Sequence, residues 1–132
     1  MPFEEVRHTA DWSLQVWAKD LPELFAESAR GMTALSGTRL SPGQKINRTI
    51  ELVAADPESL LVSFLSELVY LGEQEHLSFD DFKILIDGNR LVAEIAGASI
   101  LSMDKAIKAV TYHYLQIRQT VKGYEVEIVF DV

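Results

Sequence analysis

The sequence predicts an α+β fold with two layers, in which two amphipathic helices pack on one face of a mostly antiparallel sheet. Two segments carry the hydrophobic spacing and start signals of helices. Most of the remaining chain alternates apolar and polar residues, as half-buried strands do. The length of 132 residues suits one compact domain, so we expect a single domain over residues 1–132.

Both predicted helices begin after an aspartate that can cap the first turn. The first follows Asp20, with Glu23 completing a capping box, and Gly37 ends it. The second is predicted over 57–75 behind Asp56, with a proline at the first helical position. We expect the apolar faces of both helices to be fully buried in one hydrophobic core.

The predicted strands lie before, between and after the helices. The segments that alternate as strands are 3–8, 12–18, 46–54, 82–86, 91–95, 107–118 and 124–130. We expect loops at 36–44 and 97–105, and a hairpin turn at Asp87-Gly88.

Composition and charge exclude several classes of function. The formal net charge is -8 and the 12 lysines and arginines form no basic run, which argues against strong direct binding to nucleic acid. No stretch approaches the roughly 20 apolar residues of a membrane helix, and no secretory signal pattern is present. Without cysteine, thiolate metal sites and thiol nucleophiles are excluded. We therefore expect a cytoplasmic protein that does not act on membranes.

Sequence motifs of catalysis are missing. There is no Gly-x-Ser-x-Gly nucleophile motif and no glycine-rich phosphate loop. The paired carboxylates Asp80 and Asp81 are adjacent, hence on opposite faces of a strand, and make a poor acid/base pair. Nucleophilic and acid/base catalysis therefore find little support in the residues.

Acidic residues stand next to the ends of two predicted strands. Asp11 closes the tetrapeptide His-Thr-Ala-Asp at 8–11, and Asp131 is followed by Val132 with its own carboxylate. If the strands adjoin, these oxygen atoms would suit a hard divalent cation such as Ca²⁺ or Mg²⁺, with Mn²⁺ a further option. The alternative, which the residues alone favour, is that Asp11 is a turn residue and Asp131 a solvated residue at a strand end.

The histidines carry a weaker signal. His8 and His113 could bind a metal or transfer a proton, but a lone histidine on a strand is more often a hydrogen-bonded structural residue. In a flat strand Lys108 and His113 point to opposite faces, so both could serve one ligand only if a bulge intervened. No paired ligand spacing supports a zinc site.

Several stretches together resemble the archease family. In the order of the family, they are HTAD (8–11), DLPELFAESARGM (20–32), LLVSFLSELVYLGEQEHLSF (60–79), KAVTYH (108–113) and FDV (130–132). Together these stretches span essentially the whole chain.

The resemblance implies a non-enzymatic accessory protein of the RtcB-type RNA-splicing ligase, acting in tRNA splicing and RNA repair. That ligase joins RNA ends with GTP and manganese, and the family promotes its guanylylation and repeated turnover. The resemblance also implies a metal site formed by Asp11 and Asp131, with a terminal oxygen of Val132. Lys108 would be a functional neighbour, and His8 and His113 are further candidates.

Two classes of function remain open at this stage. An acidic tip that holds a cation could enter a basic, phosphate-lined active site, which fits a protein partner better than RNA itself. The alternative is a chaperone-like interaction domain, which would need a sizeable exposed apolar patch.

Overall fold

The computed structural model describes residues 2–7 and 12–132, and for residues 6 and 7 the backbone alone. Over this part the helices are α1 (Leu21–Ser36) and α2 (Pro57–Glu75). The strands are β1 (Phe3–Arg7), β2 (Trp12–Ala18), β3 (Arg39–Leu40), β4 (Ile46–Val53), β5 (Leu77–Asp87), β6 (Arg90–Ser102), β7 (Ala109–Val110), β8 (Arg118–Thr120) and β9 (Gly123–Asp131). Neither of these helices has the length and apolar character needed to cross a membrane.

The strands divide between two sheets, and each strand pairing found in the described part of the chain is antiparallel. The first sheet has the order β1-β2-β9-β7, and β8 also pairs with β9. In the second sheet β6 pairs with β3, β4 and β5. Two helices with antiparallel sheets confirm the predicted α+β class.

The helix caps form where the sequence predicts them, because the capping groups are local. The carboxylate of Asp20 accepts a hydrogen bond from the N–H of Glu23 at 2.9 Å, and that of Asp56 from the N–H of Ser59 at 2.7 Å. The hydrogen bond from Ser59 holds the pKa of Asp56 below its usual value. Gly37 ends α1 with a φ of 67°, a left-handed conformation that glycine adopts without steric cost.

The core lies between the helices and the sheets. Phe64 of α2 is fully buried, with ring centroids 6.1 Å from Phe25 of α1 and 6.4 Å from Phe82 of β5. Helix α1 contacts β1, β2 and β9 of the first sheet and β5 of the second, so it joins the two sheets. Its buried face packs against Leu14 and Val16 of β2, which are almost inaccessible to solvent.

The predicted loop at 97–105 is wrong in its first half, because β6 continues to Ser102. Gly97 lies in the strand where β5 carries a bulge between Phe79 and Asp81. A Cβ atom on Gly97 would lie 1.9 Å from the carbonyl oxygen of Ser78. The glycine therefore marks a close approach of two backbones and not a loop. The predicted loop at 36–44 likewise contains the short strand β3.

The predicted long strand over 107–118 is also wrong. The segment forms β7, then a turn at 113–114, and it enters β8 only at Arg118. Tyr114 adopts a left-handed φ of 55° inside the turn. The segment 107–118 contains no glycine or asparagine, the residues that favour this conformation, so its alternating pattern predicts one strand.

Candidate functional site

At one end of the first sheet, a row of paired residues runs across neighbouring strands. Arg7 of β1 pairs with Trp12 of β2, Trp12 pairs with Phe130 of β9, and Phe130 pairs with Val110 of β7. At this row β1 ends, β2 begins and β9 is one residue from its end. The sheet thus brings together chain segments that lie far apart in the sequence.

Asp131 is the next residue of β9 after this row. Its backbone is hydrogen-bonded and its side chain is exposed to solvent. It pairs with Ala109 of β7, and its carbonyl oxygen accepts a hydrogen bond from the backbone N–H of Lys108 at 2.8 Å. The preceding residue, Phe130, is fully buried, and because side chains alternate along a strand the Asp131 carboxylate is directed outward. The Lys108 side chain is exposed as well. Among the described residues, neither side chain has an ion-pair partner.

The predicted site residues His8 and Asp11 lie outside the described residues. The segment 8–11 connects Arg7 to Trp12, and these two residues are paired. The described chain therefore places both attachment points of the HTAD segment at the end of the sheet that carries Asp131. The side chain of Val132 packs against the core at the same end.

His113 lies in a turn after β7 and not on a strand. Thr111 anchors the turn, since its N–H and its hydroxyl both donate to the carbonyl oxygen of Val129, at 3.0 and 2.9 Å. The same hydroxyl accepts a hydrogen bond from the N–H of His113 at 3.2 Å. The exposed ring of His113 meets that of Tyr114 edge to face, with centroids 4.3 Å apart. The expectation that Lys108 and His113 point to opposite faces of a flat strand therefore does not apply.

A glutamate of α2 holds the far end of this turn. The carboxylate of Glu58 accepts a hydrogen bond from the backbone N–H of Ile117 at 2.9 Å. Leu115 and Ile117 also pack against the core. The segment between β7 and β8 is thus fixed at both ends, a role for Glu58 that the sequence did not reveal beyond its place in a helix start.

Few of the oxygen ligands that a hard cation needs lie among the described residues at this end of the sheet. Within residues 2–7 and 12–132, no group of three or more His, Asp or Glu side chains could hold a metal ion. Asp131 contributes one exposed carboxylate, whereas Ca²⁺ takes about six to eight oxygen ligands. A cation site here therefore depends on Asp11 as a second carboxylate.

A cavity that the sequence did not reveal opens between the helices. It has a volume of about 370 Å³ and is lined by residues of both helices, including Met32, Leu68 and Val69. The expectation that the helix faces are fully used by one core is therefore wrong at this place. The spacing of apolar residues shows which face is inward, but it does not show whether the inward space is filled.

Comparison with known proteins supports one family. The model of the Archease protein family (MTH1598/TM1083) matches residues 3–132. Protein archease of Methanosarcina barkeri is 34% identical to this chain, in an alignment that covers 98% of this chain and 95% of that protein. Protein archease of Pyrococcus furiosus is 33% identical, in an alignment that covers 92% of this chain and 91% of that protein.

Solved structures share the fold. The crystal structure of a Thermotoga maritima archease, described as a possible chaperone, superposes with a TM-score of 0.72 at 20% identity and covers 98% of this chain and 96% of that one. The solution structure of protein 1598 of Methanobacterium thermoautotrophicum gives 0.71 at 22% identity, with 99% of each chain covered. The family match over residues 3–132, together with these relatives, shows that the chain belongs to the archease family.

Proposed function

We propose that this chain is a non-enzymatic activator of a GTP- and manganese-dependent RtcB-type RNA-splicing ligase, acting in tRNA splicing and RNA repair. It promotes guanylylation of the ligase and its repeated turnover. Membership of the archease family supports this role, since the family match extends over residues 3–132. The observation that carries the mechanism is the row of backbone pairs that ends beside Asp131.

In the proposed mechanism Asp11 and Asp131 hold one divalent cation, Ca²⁺ or Mg²⁺ and alternatively Mn²⁺. The register of β2 and β9 supports this pairing, because Trp12, which follows Asp11 in the sequence, is opposite Phe130, which precedes Asp131. Carboxylates are among the oxygen ligands that hard divalent cations take. A main-chain oxygen of Val132 is a proposed further ligand.

The bound cation supplies positive charge that can neutralise phosphate oxygens of the ligase's nucleotide. Lys108 contributes a second positive charge, since its backbone is bonded to Asp131 and its side chain is exposed. Lysine is a compact charge on a flexible stem, so it can follow a phosphate as the partner docks. His8 and His113 are proposed as flanking contacts to the ligase.

The charge of the chain favours a protein partner over RNA. With a formal net charge of -8, the chain is repelled by a phosphate backbone and attracted by a basic surface. An RNA ligase has to present such a basic surface to its own substrate. The proposed activator therefore approaches the ligase at or near the site that handles phosphates.

A second candidate function is a chaperone-like interaction domain. The Thermotoga maritima protein of the same fold is described as a possible chaperone. In the present chain large apolar side chains are exposed at Val53, Leu85 and Leu101, on the second sheet. Such side chains could contact unfolded clients if they act together as a patch.

A guanylylation assay with purified ligase, GTP and Mn²⁺ tests the leading proposal. We expect the wild type to accelerate guanylylation and Asp11→Asn and Asp131→Asn to lose most of that effect while keeping the fold, as judged by circular dichroism. Asp87→Asn is the matched control, because Asp87 is an exposed aspartate at a hairpin of the second sheet. It should activate like the wild type.

The outcomes separate the parts of the proposal. Full activation by both site variants would refute the cation mechanism but keep the ligase partner. No activation by the wild type would refute the ligase role. Suppression of the thermal aggregation of citrate synthase by a wild type that does not activate the ligase would favour the chaperone-like function.

A further inference from the structure

The cavity between the helices has the size and lining of a small-molecule site. Its volume of about 370 Å³ lies within the usual range for such sites and corresponds to about ten non-hydrogen atoms at the density of a liquid. The floor is apolar and buried, formed by Met32, Leu77, Phe79 and Ile107. An apolar chain that fills this floor would displace water from it.

The lining of the cavity has negative electrostatic character. Ser36, the last residue of α1, and His76, the C-terminal cap of α2, both line the cavity, so the C-terminal ends of both helices reach it. A helix C-terminus carries about half a negative elementary charge, and neither helix has a basic residue in its last turn. With histidine counted as neutral, Glu73 is the formally charged residue among the described residues that line the cavity.

Two cationic residues lie near the C-terminal end of α1, and neither lines the cavity. The guanidinium of Arg39 lies 3.9 Å from the carboxylate of Asp104. Lys105 meets the helix end through its backbone, since its N–H donates to the carbonyl oxygen of Ser36 at 3.0 Å. The carbonyl oxygen of Ser36 also accepts a hydrogen bond from the N–H of Asp104, and that of His76 accepts one from the N–H of Ile100. Glu73 is thus the lining residue whose charge can act on a ligand in the cavity.

We propose that this cavity binds a small organic cation, an amine with an apolar chain of about eight carbons. The chain occupies the apolar floor, and the ammonium group lies beside the exposed carboxylate of Glu73. A neutral or anionic amphiphile of equal length makes the same apolar contact with the floor but lacks the attraction between the ammonium group and the negative charge. The site shares a segment with the candidate cation site, because Ile107 lines the cavity and Lys108 is bonded to Asp131, but it does not depend on the ligase.

A titration followed by amide chemical shifts at pH 7 tests the charge preference. The probes are octylammonium chloride, 1-octanol and sodium octanoate. We expect saturable binding of octylammonium with a Kd about tenfold below that of octanoate, a difference of about 1.4 kcal/mol. Glu73→Gln should reduce this preference. Glu94→Gln should leave it unchanged, because Glu94 lies on β6 and does not line the cavity.

Octanoate that binds as tightly as octylammonium, or an absence of saturable binding, would overturn the proposal. If Glu73→Gln prefers octylammonium over octanoate as strongly as the wild type does, the proposed contact between the ammonium group and Glu73 is wrong. These comparisons use substitutions of exposed side chains, so they do not depend on a variant that disturbs the core.

Filling the cavity tests its location. A Cβ atom on Gly72 would lie 3.6 Å from the carbonyl oxygen of Leu77 and 3.9 Å from the Cδ1 atom of Ile100, which are ordinary contacts. We therefore expect Gly72→Ala to fold and to bind octylammonium, and Gly72→Leu to abolish binding by occupying the space. Wild-type binding by a folded Gly72→Leu would place the ligand elsewhere and contradict the proposal.

Discussion

Replacing Gly97 by alanine should destabilise the protein, because the backbone of β5 passes too close to that of β6. A Cβ atom on Gly97 would lie 1.9 Å from the carbonyl oxygen of Ser78 and 2.6 Å from the Cα of Phe79. Both are backbone atoms, so no side-chain rotation relieves the overlap. The carbonyl oxygen would have to retreat by about 1.5 Å to reach ordinary van der Waals contact. Overpacking of this kind costs about 1–3 kcal/mol, and we expect about 3 kcal/mol because the strand pairing has to shift as well.

Urea unfolding followed by far-ultraviolet circular dichroism measures this change in the free energy of unfolding. The thermal midpoint of Gly97→Ala should fall by about 10 °C. Gly72→Ala serves as the control, since its Cβ atom makes ordinary contacts and alanine favours a helix interior by about 1 kcal/mol. A Gly97→Ala variant within about 0.5 kcal/mol of the wild type would refute the close approach as the reason for this glycine.

Two further predictions concern the start of α2. Asp56→Ala should lower the thermal midpoint at pH 7, because the N–H of Ser59 loses its acceptor, whereas Asp56→Asn keeps a capping oxygen. The hydrogen bond from Ser59 lowers the pKa of Asp56 in the folded protein. The wild type should therefore be more stable to heat than Asp56→Asn. This difference in stability should be full above about pH 4 and be lost as the pH falls through the folded pKa of Asp56. Thermal melts from pH 7 to pH 2 measure it, and an advantage that grows toward low pH would contradict the assignment. Glu58→Ala should speed hydrogen exchange of the Ile117 amide about tenfold, and Glu58→Gln should change it less; equal protection in all three proteins would exclude the hydrogen bond between Glu58 and Ile117.

The helices could be predicted from the sequence because their signals are local. Asp20 and Asp56 each cap a helix through an N–H three residues later, and Gly37 ends α1 within the same stretch of chain. These contacts need no information from distant residues.

The second half of the chain was predicted less well, because tertiary contacts decide its structure. Gly97 lies in a strand since β5 approaches it, and nothing near Gly97 in the sequence indicates this approach. Tyr114 turns the chain although tyrosine is a strand-favouring residue. The hydrogen bond from Ile117 to Glu58 joins two segments that lie far apart in the sequence.

The candidate site also depends on pairing between distant segments. The sequence shows acids beside two strand ends, but only the sheet order shows that β2 and β9 adjoin. The register then sets Trp12 opposite Phe130, which is what a cation shared by the neighbouring Asp11 and Asp131 requires. The shared cation itself stays a prediction.

A titration of the amide spectrum with paramagnetic Mn²⁺ tests most directly the central claim that Asp11 and Asp131 bind one cation. In the wild type, Mn²⁺ below one equivalent should first broaden the amides of Trp12 and Phe130. Asp11→Asn and Asp131→Asn should each lose this broadening at the same Mn²⁺ concentration, since one carboxylate alone is a weak ligand set, while the Asp87→Asn control keeps it. Broadening that survives both site substitutions, or that begins elsewhere in the protein, would contradict the claim.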